Sequence, residues 1–292
     1  MAEKKAVLEN LPETGLLLIG MGPGTVAGMT IEAKRAAKMC DTLRYEAYTA
    51  LWPQDELDLL EVECGEITKV MRPEIETPEV LFQLAKKSLV GLLVVGDPLQ
   101  ATTHVDLQLQ AAEAGIECIT FHGISITTIV TGALGLSNYK SGRQTTLTYP
   151  YGGWVVTSPL EVIAMNMGLG HHTLALLDLD PTGAGIGQQK PMMPADAVQS
   201  VVSMIDKLKI DFDDLSNDSP YDAFKIESLR TIQNMPLSAF RVILCSDMGM
   251  PSQNIRSTNL EALSQINGGS MNCLVFLGNT SDVEEKALLR WQ

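Results

Sequence analysis

Gly91-Leu92-Leu93-Val94-Val95-Gly96-Asp97-Pro98 is the stretch that decides the fold class. Five residues without a polar side chain run unbroken between turn formers. A strand with one wet face would alternate; this one does not, so it is covered on both faces, as in parallel α/β sheets. Gly96-Asp97-Pro98 then stops the strand. Upstream, Leu16 to Ile19 repeats the pattern and ends in the glycine turn Gly20-Met21-Gly22-Pro23-Gly24. Thr30 can cap a helix running to about Met39. Thr42 to Tyr45 reads as a short strand, and a helix from Pro53 to Leu60 and another short strand fit before Pro78. Pro78 suits the first turn of a helix to about Ser88. A helix from Thr103 to Ala114 with Gly115 as its cap, then a strand from Ile116 to Phe121, complete the alternation.

The expected architecture is therefore α/β, with residues 1–121 an N-terminal domain on a mostly parallel sheet joined by right-handed crossovers, and 122–292 a C-terminal α/β domain. In the second half, Ser125 to Leu136 and Ala195 to Leu208 read as helices. Thr145 to Tyr149 and Thr173 to Asp180 read as strands, Pro181 to Pro194 as a long loop, and Arg241 to Cys245 and Cys273 to Leu277 are the remaining apolar runs.

The 292 residues carry a net charge of −14. Such a surface repels phosphate backbones, so nucleic acid is not an expected partner. The densest basic stretch is Lys34, Arg35 and Lys38 on one predicted helix. No apolar run reaches the roughly 20 residues a bilayer requires, and the N-terminus lacks the apolar core of a signal peptide. A cytoplasmic protein is expected. The cysteines, Cys40, Cys64, Cys118, Cys245 and Cys273, are odd in number and form no C-x-x-C pair, so they read as reduced thiols. His171-His172 has no carboxylate at metal spacing, and no metal is expected.

Three segments could carry chemistry. The G-x-G-x-G turn lets backbone approach a ligand, although Pro23 lacks the amide a pyrophosphate would use. With Glu46 as the acid after the second strand, a nicotinamide-dependent reductase is one reading. Asp97 lies where a buried strand ends, the usual ligand edge of an open α/β sheet; it could bind a ribose or an ammonium, or merely cap its own turn. Thr102-Thr103-His104 could orient a substrate and move a proton, or supply a helix cap and a satisfied structural histidine.

Together these segments resemble one family. The order L-I-G-M-G-P-G at 18–24, Y-E-A-Y-T at 45–49, G-D-P-L-Q-A-T-T-H at 96–104, Ser125-Ile126, and H-T-L-A-L-L-D at 172–178 is similar to the diphthine synthases, within the tetrapyrrole-methylase-like class of methyltransferases. The resemblance implies two α/β domains of the tetrapyrrole methylase type with the cofactor in the cleft between them. It implies methyl transfer from S-adenosylmethionine to the amino group of the 3-amino-3-carboxypropyl-histidine of elongation factor 2, leaving S-adenosylhomocysteine, within diphthamide biosynthesis. Archaeal-type members add three methyls, and eukaryotic members also esterify the carboxylate. It further implies a homodimer without metal. Carried over position by position, the cofactor contacts fall at Pro23, Asp97, Gln100, Ser125, Ile126, Leu177, Met248 and Asn272. At the last two the family pattern has alanine and histidine instead, and an insertion around Gly183 to Lys190 departs from it. His104 is the candidate for deprotonating the amine, with bulk water as the other. The remaining alternatives are a precorrin-type methylase of the same class and a binding module that has lost activity.

Overall fold

A computed structural model describes residues 11–186 and 189–292. The start of the N-terminal segment and two positions of the loop expected at 181–194 lie outside the described residues. Residues up to Thr128, with Ala184–Ile186, form one compact unit; Ile129–Gly183 and the residues from 189 onward form a second.

The first unit runs β1 (Gly15–Gly20), α1 (Ile31–Met39), β2 (Thr42–Glu46), α2 (Gln54–Cys64), β3 (Ile67–Val70), α3 (Arg72–Glu76), α4 (Glu79–Ala85), β4 (Leu89–Val94), α5 (His104–Glu113), β5 (Cys118–Phe121) and the start of α6 (Ile126–Leu134). The strands form one sheet in the order β3-β2-β4-β1-β5, and every pairing is parallel. The unbroken hydropathy of β1 and β4 has a direct cause. Leu17, Ile19, Leu89 and Leu93 point into a core with Ala33, Ala36 and Ala37 of α1 and Leu57 and Leu60 of α2. Leu16, Leu18, Val90, Leu92 and Val94 point the other way, onto Ile75, Leu81, Ala85, Leu107 and Ala111. Each fully buried leucine is worth roughly 1.5–3 kcal/mol. The Thr30 cap, which accepts from Ala33 N at 3.1 Å, adds about 1 kcal/mol. Burial sets the fold and the cap sets where α1 begins.

The sheet order also locates a crevice. β1 and β4 are neighbours, but the chain leaves β1 toward β2 over one face and leaves β4 toward β5 over the other. Connections that diverge from adjacent strands make a topological switch point, where open α/β sheets bind ligands. The turns at Gly20–Gly24 and Gly96–Pro98 lie there.

The second unit contains β6 (Thr145–Leu147), α7 (Ser158–Gly168), β7 (Thr173–Leu177), α8 (Pro194–Asp211), α9 (Pro220–Gln233), β8 (Arg241–Ser246), β9 (Asn254–Asn259), α10 (Leu260–Leu263), β10 (Asn272–Phe276) and α11 (Asp282–Leu288). Its sheet has the order β6-β7-β10-β8-β9. Only the β6–β7 pairing is parallel; the others are antiparallel. The core gathers Leu147, Ala175, Leu244, Leu274 and Phe276 of the sheet under α7 and α8. All five cysteines are free, and Cys245 and Cys273 sit opposite each other between β8 and β10.

Glu284 of α11 is a buried charge of this unit. It accepts from Lys140 Nζ at 2.8 Å, Ser137 N at 2.8 Å and Ser281 N at 2.7 Å. His172 Nε2 lies 3.2 Å away. Burial by itself would raise the carboxyl's pKa, but the Lys140 ammonium and the two amides outweigh that and hold it well below the ordinary range. His172 Nδ1 accepts from Gly278 N at 3.2 Å, so its proton is on Nε2, directed at Glu284. Burial lowers this imidazole's pKa, and Glu284 offsets only part of the shift. The partner of His172 is 112 positions away in sequence. Among the described residues no cluster of three or more metal-type ligands occurs, and no helix is long and apolar enough to cross a membrane.

Candidate functional site

Five of the residues carried over from the resemblance meet at the switch point of the first unit. Gly22 and Gly96 bond each other's backbones, Gly22 N to Gly96 O at 3.2 Å and Gly96 N to Gly22 O at 2.9 Å, which sets half-buried Pro23 beside the Asp97 turn. Asp97 is 5% exposed. Its Oδ1 accepts from Leu99 N at 2.9 Å, the turn-capping bond its sequence position allows. Its Oδ2 does something the sequence did not reveal: it accepts from His122 Nδ1 at 2.8 Å and Gly123 N at 3.3 Å. Gln100 and Ser125 are tied through Thr127, whose Oγ1 is 2.6 Å from Gln100 Oε1 and 3.0 Å from Ser125 Oγ. Ile126 begins α6 directly after Ser125.

The ends of β1, β4 and β5 meet here almost backbone to backbone. A Cβ on Gly20 would come within 2.8 Å of Gly96 O, and one on Gly123 would overlap the same oxygen. No rotamer change relieves a clash with a carbonyl. Gly123→Ala should therefore lower stability by about 1–3 kcal/mol and spread the Asp97 turn. Urea unfolding would measure the first effect; an unchanged midpoint would show that the edge yields easily.

The second unit brings its three candidates together at one end of its sheet. Leu177 closes β7, and Asn272 opens β10 one position beyond the Leu176–Cys273 pair. Asn272 Oδ1 accepts from Ser246 Oγ at 2.7 Å and Gly269 N at 2.9 Å. Met248 is buried just past β8. The turn that carries it is fixed by buried Asp247, whose Oδ1 accepts from Ser270 Oγ at 2.7 Å and Met271 N at 2.9 Å. Among the described residues, only Ala101 (φ 58°) and Asp247 (φ 49°) are non-glycine with left-handed backbone. Each adjoins a candidate contact, Gln100 and Met248. Such residues cost about 1–3 kcal/mol and tend to cluster at functional sites. Neither D-M-G nor Q-A-T signals this in sequence.

His104, the candidate for deprotonating the amine, is enclosed. It is 1% exposed. Its Nδ1 donates to Pro98 O at 2.9 Å, and its Nε2 faces Glu46 Oε2 at 2.8 Å, held by charge rather than an aligned hydrogen bond. Burial pulls its pKa down, but Glu46 and the Pro98 carbonyl more than offset that, so the pKa is raised. An enclosed ring with Nδ1 bonded to Pro98 O and Nε2 facing Glu46 presents no free nitrogen to a substrate. Glu46 is equally buried and also accepts from Thr49 N at 3.1 Å. That removes the acid on which the nicotinamide reading rested.

Comparison with known proteins identifies the family. Residues 15–188 match the family model for tetrapyrrole (corrin/porphyrin) methylases. The diphthine synthase of Methanocorpusculum labreanum is 35% identical over 166 residues, 56% of this chain and 66% of that protein. At this level the match spans just under two thirds of its relative's length. The diphthine synthase of Methanococcus aeolicus is 28% identical over 94% of this chain and 96% of its own. A crystal structure of diphthine synthase superposes with a TM-score of 0.74 at 25% identity, covering 94% of this chain and 95% of that one. A parallel sheet with its glycine-lined switch point, a second mixed sheet, and these matches place the chain in one group: it belongs to the tetrapyrrole (corrin/porphyrin) methylase family.

Proposed function

We propose that this protein is an S-adenosylmethionine-dependent N-methyltransferase of the diphthine synthase type. Its substrate on this reading is the 3-amino-3-carboxypropyl-histidine of elongation factor 2, trimethylated on the amino group in the cytoplasm by a homodimeric enzyme. The observation that carries the reading is the alignment with a diphthine synthase over nearly the full length of both chains.

The chemistry of the candidate contacts supports it. None of the eight is a lysine or arginine, so they suit a ligand without phosphates. Asp97 offers a buried carboxylate to a cation. Leu177 and Met248, at one end of the second unit's sheet, offer apolar surface to an adenine ring. When bound, the cofactor supplies an electrophilic methyl group on a sulfonium. The protein's part is to position the acceptor, which needs no metal and no nucleophilic triad.

The test is incubation with isotopically labelled S-adenosylmethionine and elongation factor 2 bearing the unmethylated side chain, followed by mass spectrometry of the modified histidine. Three methyls on the amine are expected. Label appearing only on a precorrin supplied in parallel would overturn the substrate assignment and favour a tetrapyrrole methylase.

A further inference from the structure

An amine can accept a methyl group only through a free lone pair. An alkylammonium has none, and each of the first two transfers yields an ammonium that still carries protons. Three successive methylations therefore require three deprotonations, and His104 is closed to that task. We propose that His122, oriented by Asp97, is the proton acceptor for the substrate amine; this rests on the amine-methylation reading above.

Of the acids and histidines at the switch point or directly behind it, Glu46 is buried against His104. Asp97 is buried and already accepts from three donors. His104 is buried with both nitrogens engaged. His122 is 69% exposed in its side chain and directly follows β5, on the same sheet edge as Asp97 and Ser125. Its Nδ1 donates to Asp97 Oδ2 at 2.8 Å. That bond fixes the tautomer, because a carboxylate can only accept. The lone pair is left on Nε2, which has no partner among the described residues. A buried carboxylate behind an imidazole both aims the ring and stabilises the imidazolium that forms. The main chain is pinned as well: Thr30 Oγ1, at the cap of α1, donates to the His122 carbonyl at 3.3 Å. Asp97 is the one charged group bonded to the ring, and the first turn of α1 adds one acid, Glu32.

The step balances simply. Nε2 takes one proton from the ammonium, giving an imidazolium and a neutral amine. The amine nitrogen then forms its bond to the methyl carbon while the carbon–sulfur bond breaks and its electron pair stays on sulfur. The imidazolium returns its proton to water before the next cycle. After the third transfer the nitrogen is quaternary and has no proton to lose.

The test uses the full chain with S-adenosylmethionine and the elongation factor substrate. Steady-state kinetics would be followed from about pH 5.5 to 9, across the range where an imidazole titrates. Wild type should show an acid limb in kcat/KM. His122→Gln should lower kcat by about 10²–10⁴-fold, the usual contribution of a general base. It should also lose the plateau above that limb, leaving a rate that climbs with pH across the whole range as free amine accumulates. Calorimetric titration of S-adenosylmethionine should give the same Kd for both proteins, showing that the Asp97 turn is intact. His122→Asn should behave alike. A variant with wild-type kcat and the same acid limb would overturn the base role. So would a defect confined to cofactor Kd, which would make His122 only a buttress for Asp97. If wild type leaves this amine unmethylated, the substrate reading falls and the base role falls with it. An active wild type with an equally active variant removes only the base.

Discussion

Glu284→Ala should cost the protein about 3–5 kcal/mol of stability, the scale seen when one member of a buried charge network is removed. The carboxylate satisfies Lys140, His172 and the amides of Ser137 and Ser281. Alanine leaves all four behind, and His172 is itself buried. The residue next in sequence is a built-in control. Glu285 pairs with Arg241 at 2.7 Å, but both side chains are 46% exposed. Exposed pairs are worth about 0–1 kcal/mol, so Glu285→Ala should have a far smaller effect. Urea unfolding of the two variants decides the matter. A loss for Glu284→Ala no larger than that for Glu285→Ala would mean that water reaches the site and replaces the carboxylate.

The second large effect is expected at Asp97. Asp97→Ala removes the carboxylate that accepts from Leu99 N, Gly123 N and His122. It also removes the negative charge proposed to face a cationic cofactor. Hydrogen bonds to charged groups contribute about 1.5–3 kcal/mol, so the Kd for S-adenosylmethionine should rise roughly 10- to 150-fold. Asp97→Asn separates the two causes. It retains an acceptor for the Leu99 amide but carries no charge, so an intermediate Kd would assign the remainder to electrostatics. An unchanged Kd for the alanine variant would remove Asp97 from the binding residues.

The parts of the fold that hydropathy could reveal are those buried on two faces. β1 and β4 stand out because every residue along them is covered, and α1 because Thr30 announces its start. β9 shows why the rest stayed hidden. Its sequence Asn-Ile-Arg-Ser-Thr-Asn buries one residue, Ile255. Backbone bonds to β8 hold it in the sheet, and backbone bonding leaves no trace in side-chain pattern. α7 fails for the opposite reason. Pro159, Leu160, Val162, Ile163, Ala164 and Asn166 are all buried, so no amphipathic stripe marks the helix.

The candidate site divides in the same way. The motif residues Pro23, Asp97, Gln100 and Ser125 were legible because they are contiguous with strong strand signals. Pairings were not. His104 finds Glu46 only because β2 and β4 are neighbours, and Asp97 finds His122 only because β4 and β5 flank β1. F-H-G at 121–123 did hold a usable sign: a histidine just past a strand that ends on the ligand edge of the sheet. Asp247 is legible only from its backbone angle.

The two buried histidines respond to acid in opposite directions. In the first unit, the His104–Glu46 pair raises the imidazole's pKa, so its contribution to stability is complete below the ordinary histidine value of 6.5 and fades as pH rises through the raised one. In the second unit, the His172 pKa is depressed, so its contribution is complete above 6.5 and drains away as pH falls. Glu284 acts in the same direction at lower pH, below the ordinary glutamate value of 4.5. Mild acidification therefore leaves the His104–Glu46 contribution in place while it withdraws that of His172. Stability measured by urea unfolding should fall between pH 6.5 and about 5 in wild type, and less so in a His172→Gln variant.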